Sequence, residues 1–229
     1  MAKKKLSVAV VGAGMGGLAV AATLRRASIG VQVYEQASRF ARIGAGIQMM
    51  PNSMKVLRGL GIEDHLRSTA FAPHSPLNRR RETGDVTNEL PMPESLYGAP
   101  YFCMRRADLH GALASVVPRD IIHLGKWLVG LDHSGRQVTL RFADGNAASA
   151  DAVIGADGVH STVRDLIVGP DAPVHKGRIA YRAVFPAKLM GGFDIGPSRT
   201  KWWGTDRHIV RSERRRVGKG CSGRWAPYQ

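Results

Sequence analysis

The stretch from residue 6 to residue 35 constrains the fold more than any other part of the chain. It has an apolar run at 6–11, a glycine-rich segment at 12–17, an alanine-rich segment, and a second apolar run that ends at Glu35. This order predicts a strand, a glycine turn, a helix and a second strand that ends in an acid. Units of this kind build parallel sheets, so the sequence predicts an α/β fold.

Three glycines at the spacing G-x-G-x-x-G have mechanical roles in this turn. Gly12 allows the sharp turn out of the strand, Gly14 lets backbone approach a pyrophosphate, and Gly17 lets the helix pack closely on the sheet. The helix N-terminus offers unpaired N–H groups to phosphates, and Glu35 can accept hydrogen bonds from two ribose hydroxyls. The agreement of these parts predicts a dinucleotide site, against the alternative of a turn without a ligand. The motif alone leaves NAD and FAD open.

Composition narrows the class of protein. A hydrophobic content of 44% over 229 residues supports a globular core of one domain or one and a half. The sequence contains no run of 18 apolar residues, so no membrane-spanning helix is predicted. The apolar N-terminal run enters the glycine turn without a cleavage pattern, so we expect a cytoplasmic protein. Cys103 and Cys221 have neither disulfide-framework nor metal-ligand spacing, so no metal site is predicted.

The formal net charge of +15 is the other notable compositional feature. Residues 211–229 carry six Lys or Arg and one Glu, so this tail supplies +5 of that charge. A basic surface can attract nucleic acid or acidic membranes. No recognition-helix pattern or aromatic-interleaved basic face accompanies the charge. We therefore predict a solvated surface that favours small anionic ligands, and no specific nucleic-acid partner.

The middle of the chain alternates between helix and strand patterns. Asn52 is predicted to cap a helix that Gly61 ends. The proline-interrupted segment 71–100 is predicted to leave the first domain as a hairpin. A buried strand at 101–104 precedes an amphipathic helix that Pro118 ends.

The second half is predicted to be rich in strands. Residues 121–131 and 137–142 predict a hairpin, and 152–154 a short buried strand. Further strands are predicted at 180–185, 201–203 and 209–210, after which hydrophobic periodicity is lost. The predicted divisions are a first domain at 1–170, the beginning of a second sheet at 171–210, and an aperiodic basic tail at 211–229.

Three segments together resemble the single-component FAD-dependent aromatic hydroxylases, the para-hydroxybenzoate and salicylate hydroxylase family. They are the βαβ stretch, Arg106-Ala107-Asp108-Leu109 at a helix start, and Ile154-Gly155-Ala156-Asp157-Gly158 after a buried strand. The resemblance implies an FAD/NAD(P)-binding Rossmann-like domain with a β-meander insertion and the start of a mixed-sheet substrate domain. It also implies hydroxylation of a small aromatic or N-heteroaromatic acid with NAD(P)H and O₂, through a flavin C4a-hydroperoxide.

The resemblance also implies a set of cofactor-binding residues, namely Gly12, Gly14, Gly16, Gly17, Glu35, Gln36, Arg106, Leu128, Asp157 and Gly158. Arg106 can meet ribityl or phosphate oxygens through charge-assisted hydrogen bonds, and a surface arginine at a helix start is the alternative. Asp157 either lies beside the pyrophosphate or mainly organises its turn. Leu128 either lies against the cofactor or belongs to the core.

Gln48 and His208 are the candidates in the substrate pocket, and no catalytic residue is assigned. Gln48 stands where a resembled member of the family has a histidine; glutamine cannot act as a base at neutral pH but can accept and orient a hydroxyl. His208 matches a histidine of the resembled pocket, with a structural or exposed histidine as the alternative.

One segment of the resembled family does not occur in this sequence. It is Gly-Asp-Ala-x-His-x-x-x-Pro, whose Asp holds the flavin ribityl chain in that family. A second hypothesis is therefore a truncated, catalytically inactive fragment that binds FAD or ADP. In that case, the strands at 180–185 and 202–210 are expected to lack partners and to leave an apolar face exposed.

Overall fold

The computed structural model describes residues 6–40, 46–133, 135–183, 185, 189 and 196–212. The strands are β1 (Ser7–Val11), β2 (Gly30–Glu35), β3 (Gly46–Met49), β4 (Pro76–Arg80), β5 (Val86–Glu89), β6 (Phe102–Arg105), β7 (Ile122–Leu124), β8 (Leu128–Asp132), β9 (Val138–Phe142), β10 (Ala147–Ala150), β11 (Ala152–Gly155), β12 (Arg199–Trp203) and β13 (His208–Arg211). The helices are α1 (Met15–Arg26), α2 (Pro51–Gly59), α3 (Glu63–Thr69), α4 (Glu94–Tyr97), α5 (Arg106–Ser115) and α6 (Thr162–Val168).

A parallel sheet of order β11-β1-β2-β7 forms the centre of the fold. The register places Val10 of β1 between Val33 of β2 and Ile154 of β11. Such strands are covered on both faces, which explains their almost continuous apolar sequences. The α/β, Rossmann-like expectation is confirmed, and so is the strand at 152–154.

The two faces of the parallel sheet are covered by different layers. On one face, a core that includes Val10, Leu18 and Leu113 packs the sheet against helices, with α1 in contact with α5. On the other face, Tyr34 packs against Leu128 and other side chains of β8 and β9. The layers are therefore helices, parallel sheet and antiparallel strands.

The antiparallel layer is a three-stranded meander of order β10-β9-β8. This confirms the expected insertion and the hairpin between β8 and β9. The prediction that 121–131 forms one arm of that hairpin is wrong in its first part. Residues 122–124 form β7, which pairs in parallel with β2 at the edge of the central sheet. Periodicity shows that a segment is extended, but it does not identify the partner strand.

A third sheet, of order β13-β12-β4-β5, is mixed, as expected. The segment 71–100 contributes the β4–β5 hairpin, and β12 runs parallel to β4 and antiparallel to β13. The expectation that the strand region 202–210 lacks partners is wrong, because β12 pairs with β4 and β13, and β13 pairs with β12. On β13, which lies at the sheet edge, Ile209 is exposed.

The strand expected at 180–185 is not formed over 180–183, where the described backbone is irregular. Tyr181 is 93% exposed, which shows that the alternating apolar side chains of this segment do not pack against another layer. A strand requires a hydrogen-bonding neighbour as well as a pattern. Residue 184 and the tail beyond residue 212 lie outside the described residues.

The helix predicted after Asn52 begins two residues earlier than that cap implies. Pro51 occupies the first helical position and Met50 the N-cap position. Proline favours the first helical position because its fixed φ suits the helix and it has no N–H. Gly61 follows the helix with a φ of +80°, as expected of a stop. Among the described residues, no helix is long and apolar enough to cross a membrane.

Candidate cofactor site

A cavity of about 350 Å³ opens at the carboxyl ends of β1, β2 and β11. This is the edge at which open parallel sheets bind ligands. It is lined by every residue expected to contact a cofactor except Gly17, namely Gly12, Gly14, Gly16, Glu35, Gln36, Arg106, Leu128, Asp157 and Gly158. Residues that lie up to 146 positions apart in the sequence are thus brought to one surface.

The three glycines have different surroundings. Gly12 has a φ of +101°, and a Cβ there would overlap the carbonyl oxygen of Ala156. A Cβ on Gly17 would overlap the carbonyl oxygen of Gly12, so this glycine permits the close packing of α1 on the turn. A Cβ on Gly14 would meet nothing within 4 Å. Gly14 therefore leaves room at the cavity, while the other two are required by the fold.

The N-terminus of α1 lies at the cavity without a capping side chain. Gly14 is its N-cap residue, and the first turn contains no acid. The first N–H groups of a helix have no partner within the helix and carry a partial positive charge. His110 of α5 supports the turn, since its Nε2 donates to the carbonyl oxygen of Ala13 over 2.8 Å. A carbonyl can only accept, so this ring nitrogen carries a proton.

Glu35 ties the end of β2 to the glycine turn. Its Oε2 accepts from the backbone N–H of Ala13 at 2.7 Å, and its Oε1 accepts from that of Ala37 at 2.9 Å. Each carboxylate oxygen can accept two hydrogen bonds. One acceptor position on each oxygen therefore remains for a ligand hydroxyl, and the backbone bonds fix the carboxylate at the cavity wall.

Asp157 organises the turn that leads into α6. Its Oδ1 accepts from the Ser161 hydroxyl at 2.6 Å, and its Oδ2 accepts from the backbone N–H of Val163 at 3.1 Å. The Ser161 hydroxyl in turn accepts from the N–H of Arg164 as the helix cap. These contacts agree with the interpretation of Asp157 as mainly a turn residue, and they hold Gly158 at the cavity.

Arg106 is the first residue of α5, and its exposed side chain lines the cavity. In the described part of the chain it forms no ion pair, whereas its neighbour Arg105 pairs with Asp108. A cation at a helix N-terminus is unfavourable with respect to the helix dipole. The unpaired guanidinium and the helix end both favour an anion in the cavity.

Lys126 and Trp127 line the same cavity and were not identified from the sequence. The Lys126 ammonium donates to Asp144, and with the bonds from Asn146 it lowers the pKa of that carboxyl to about 2. Trp127 is 59% exposed. Lys126 and Trp127 come just before Leu128 in the sequence, but no motif spacing identifies them as cofactor-binding residues. Leu128 itself lines the cavity and is 3% exposed, which agrees with its interpretation as a core residue, and its contact with a cofactor stays a prediction.

Gln48 lies outside this cavity, in a polar cluster between β3, β6 and β12. Its Oε1 accepts from the Tyr101 hydroxyl at 2.9 Å and from Nε of Arg199 at 3.2 Å. Burial raises the pKa of Tyr101, so its hydroxyl stays neutral. Both lone pairs of the amide oxygen are used. The expectation that Gln48 accepts a hydroxyl of a ligand therefore does not fit this geometry.

His208 is exposed on β13, and its ring lies 5.2 Å from that of Trp203. Trp203 is at the far end of β12 from Arg199, the residue that contacts Gln48. Four residues of strand span about 13 Å at roughly 3.3 Å per residue. The structure therefore does not bring His208 into contact with Gln48.

The cavity fits a cofactor that carries a pyrophosphate and a ribose. Four features of the described residues lie there: open space beside Gly14, the uncapped N-terminus of α1, the Arg106 guanidinium without an ion pair, and the fixed carboxylate of Glu35. No group of three metal-ligating side chains occurs among the described residues. Residues 5–181 match the family model described as an FAD binding domain. The chain belongs to this family of FAD-binding domains.

Curated relatives extend the likeness beyond the family model. The chain is 42% identical over 207 residues to 6-hydroxynicotinate 3-monooxygenase of Pseudomonas fluorescens, a match that covers 89% of this chain and 54% of the relative. It is 41% identical over 213 residues to 3-amino-4-hydroxybenzoate 2-monooxygenase of Streptomyces cremeus, covering 92% and 54% respectively. The chain spans about half the length of these curated relatives.

The fold is also that of a solved flavoprotein. HpxO of Klebsiella pneumoniae, complexed with FAD and uric acid, superposes with a TM-score of 0.75 at 24% identity. The likeness covers 91% of this chain and 53% of that one. At this identity the comparison shows the shared fold, and it agrees with the α/β architecture described above.

Proposed function

We propose that this chain is the FAD-binding part of an NAD(P)H-dependent monooxygenase that hydroxylates a small aromatic or N-heteroaromatic acid with O₂. The observation that carries the proposal is the convergence of Gly14, Glu35 and Arg106 on one cavity in an FAD-binding domain. The substrate class is supported by the two curated relatives, whose names both denote monooxygenases of hydroxylated ring acids.

In this proposal each cavity residue holds one part of the cofactor. The pyrophosphate lies against Gly14 and the N-terminus of α1, since that surface is open and rich in N–H donors. Glu35 accepts from the ribose hydroxyls, and Arg106 donates to phosphate or ribityl oxygens. Asp157 acts through the turn that it organises. The chemistry that bound FAD supplies in such an enzyme is hydride acceptance from NAD(P)H and activation of O₂ for transfer to the ring.

In this proposal, cofactor binding and substrate binding belong to different sheets of the protein. Residues 1–170 form the cofactor domain, and 171–210 begin the substrate sheet together with the β4–β5 hairpin. This assignment is supported by the cavity, since all of its described lining residues lie between Val11 and Thr162.

A second proposal concerns the 229 residues by themselves. We propose that they bind FAD by its ADP end without coupled hydroxylation. The support is that the cavity residues fit a pyrophosphate and a ribose, while the ribityl-binding segment of the resembled family does not occur in the sequence. In this proposal the isolated chain is a binding module.

Two measurements test these proposals in order. A flavin absorbance band in the purified protein, restored by added FAD after its removal, is expected. NAD(P)H-dependent O₂ uptake with a hydroxylated product then separates the monooxygenase from the binding module. Protein that neither retains nor rebinds flavin would overturn both proposals. Coupled turnover of a hydroxyaromatic acid by the 229-residue chain would overturn the second alone.

A further inference from the structure

The cavity at the glycine turn has a wall to which the proposed contacts with pyrophosphate and ribose assign no role. Lys126 and Trp127 form this wall, in the connection between β7 and β8. The Trp127 side chain is 59% exposed, although Leu128, the next residue, is buried. Burial of apolar surface against a ligand is favourable, so the indole ring is available as a contact for whatever occupies the cavity.

The backbone that carries this indole is held by hydrogen bonds to two layers of the fold. The N–H of Lys126 donates to the carbonyl oxygen of Glu35 at 2.8 Å, which joins the segment to the end of β2. The carbonyl oxygen of Trp127 accepts from the N–H of Ala143 at 2.9 Å, which joins it to the meander. A ligand that contacts the ring therefore has to order only the side chain, and this lowers the entropic cost of binding.

The ammonium group of Lys126 is engaged away from the indole. It donates to Asp144 at 2.6 Å and lies 5.8 Å from the centre of the Phe142 ring. The charge of Lys126 is therefore offset by a carboxylate, and the main feature that this wall offers to a ligand is an aromatic face. Nucleic acid bases stack on such faces, whatever their sequence, because every base has a π-face.

The described lining of the cavity matches one half of a dinucleotide. Trp127 offers a face for a base, Glu35 a carboxylate for the ribose, and the start of α1 with Arg106 a surface for two phosphates. None of the described lining residues belongs to β3 or to the sheet β13-β12-β4-β5. The volume of about 350 Å³ is near the lower end of the range of about 300–1,000 Å³ that is typical of ligand pockets. No described feature of the cavity therefore requires a flavin ring.

We infer that this cavity is a ribonucleoside 5′-diphosphate site in which Trp127 stacks on the base, so that the 229-residue chain binds ADP and NAD⁺ in competition with FAD. The inference rests on the proposed function, because it assigns the base end of the same site. Glu35 limits the class of ligand. Its carboxylate is fixed by the N–H groups of Ala13 and Ala37, and a ribose 2′-phosphate would place a second negative charge against it.

Competition calorimetry with the flavin-free 229-residue chain tests the class of ligand. ADP and NAD⁺ should displace FAD with dissociation constants within about tenfold of that of FAD, because all three share the base, the ribose and the diphosphate. NADP⁺ should bind about tenfold or more weakly than NAD⁺, because of the charge of Glu35. Inorganic pyrophosphate, which has neither base nor ribose, reports on the phosphate contacts alone.

Substitutions of tryptophan test the base contact. Trp127→Ala should weaken the binding of ADP, NAD⁺ and FAD by about 5- to 100-fold and leave that of pyrophosphate unchanged. Trp127→Phe keeps an aromatic face, so its affinities should lie between those of the wild type and of the alanine variant. The matched control is Trp203→Ala, which removes an indole that is 48% exposed on β12, outside the cavity lining, and should leave all four affinities unchanged. Thermal unfolding of the same samples shows that each variant is folded.

The possible outcomes separate the inference from the proposed function. FAD binding that neither ADP nor NAD⁺ displaces would overturn the inference and leave the proposed function intact. Equal affinities for NAD⁺ and NADP⁺, an unchanged ADP affinity in Trp127→Ala, a Trp127→Phe variant as weak as the alanine variant, and equal losses in Trp127→Ala and Trp203→Ala would each overturn it as well. Binding of ADP and NAD⁺ without any binding of FAD would instead overturn the proposed function and retain the nucleotide site.

Discussion

The substitution Gly14→Ala separates the requirements of the fold from those of the cofactor. Gly14 has φ −69° and ψ −178°, which alanine adopts without strain, and a Cβ there meets nothing within 4 Å. Because alanine is a poorer N-cap than glycine, we expect a loss of at most about 1 kcal/mol of unfolding free energy. The new methyl group projects into the space where the pyrophosphate is proposed to lie.

The expected loss of affinity follows from the contacts that the methyl group prevents. Displacing one backbone N–H bond to a phosphate costs about 1.5–3 kcal/mol. That corresponds to an FAD affinity lower by about 10- to 150-fold. FAD titrations followed by flavin fluorescence, with thermal unfolding of the same samples, measure both quantities.

Two further glycines provide controls for this prediction. Gly59→Ala, at the end of α2, adds a methyl group that meets nothing within 4 Å and lies outside the cavity, so FAD affinity should be unchanged. Gly17→Ala should instead lower the unfolding free energy by about 1–3 kcal/mol, because its Cβ overlaps the carbonyl oxygen of Gly12. Wild-type FAD affinity in Gly14→Ala would refute the placement of the pyrophosphate.

Three other substitutions test the remaining walls of the cavity. Arg106→Gln should weaken FAD binding by about 10-fold or more through loss of a charge-assisted bond, whereas Arg25→Gln, outside the cavity lining, should have no effect in the same titration. Trp127→Ala should weaken FAD binding by about 5- to 100-fold if its exposed ring stacks on the adenine, while the affinity for FMN, which has no adenine, stays constant. Asp157→Asn should lower the unfolding free energy by about 1–3 kcal/mol, because one of its two donors loses its acceptor; an unchanged melting temperature would contradict its role in the turn.

The cofactor domain could be predicted from sequence because its determinants are local. Gly12, Gly14, Gly17 and Glu35 belong to one continuous unit whose spacing fixes a turn, a helix start and a strand end. The contacts in the structure agree with the mechanical roles expected of these glycines. Arg106 was placed at the cavity only through the resemblance of its segment, since 70 residues separate it from the strand that ends at Glu35.

The remaining features depend on pairing between distant segments. From the sequence alone, residues 122–124 fit one arm of a hairpin. The structure shows that they pair instead with the edge of β2. β12 lies between β4 and β13, although nothing near residue 200 identifies residues 76–80 as its neighbour. The hydrogen-bond partners of Gln48 could not be predicted for the same reason, because Tyr101 and Arg199 reach it from 53 and 151 positions away.

Titration of FAD and of FMN into the purified 229-residue chain tests the central claim most directly. The claim is that this chain holds FAD by its ADP end, at the cavity between the glycine turn, Glu35 and Arg106. It predicts one FAD bound per chain and much weaker binding of FMN, which lacks the second phosphate, the adenosine ribose and the adenine. Absence of FAD binding, or equal affinity for FAD and FMN, would contradict the claim.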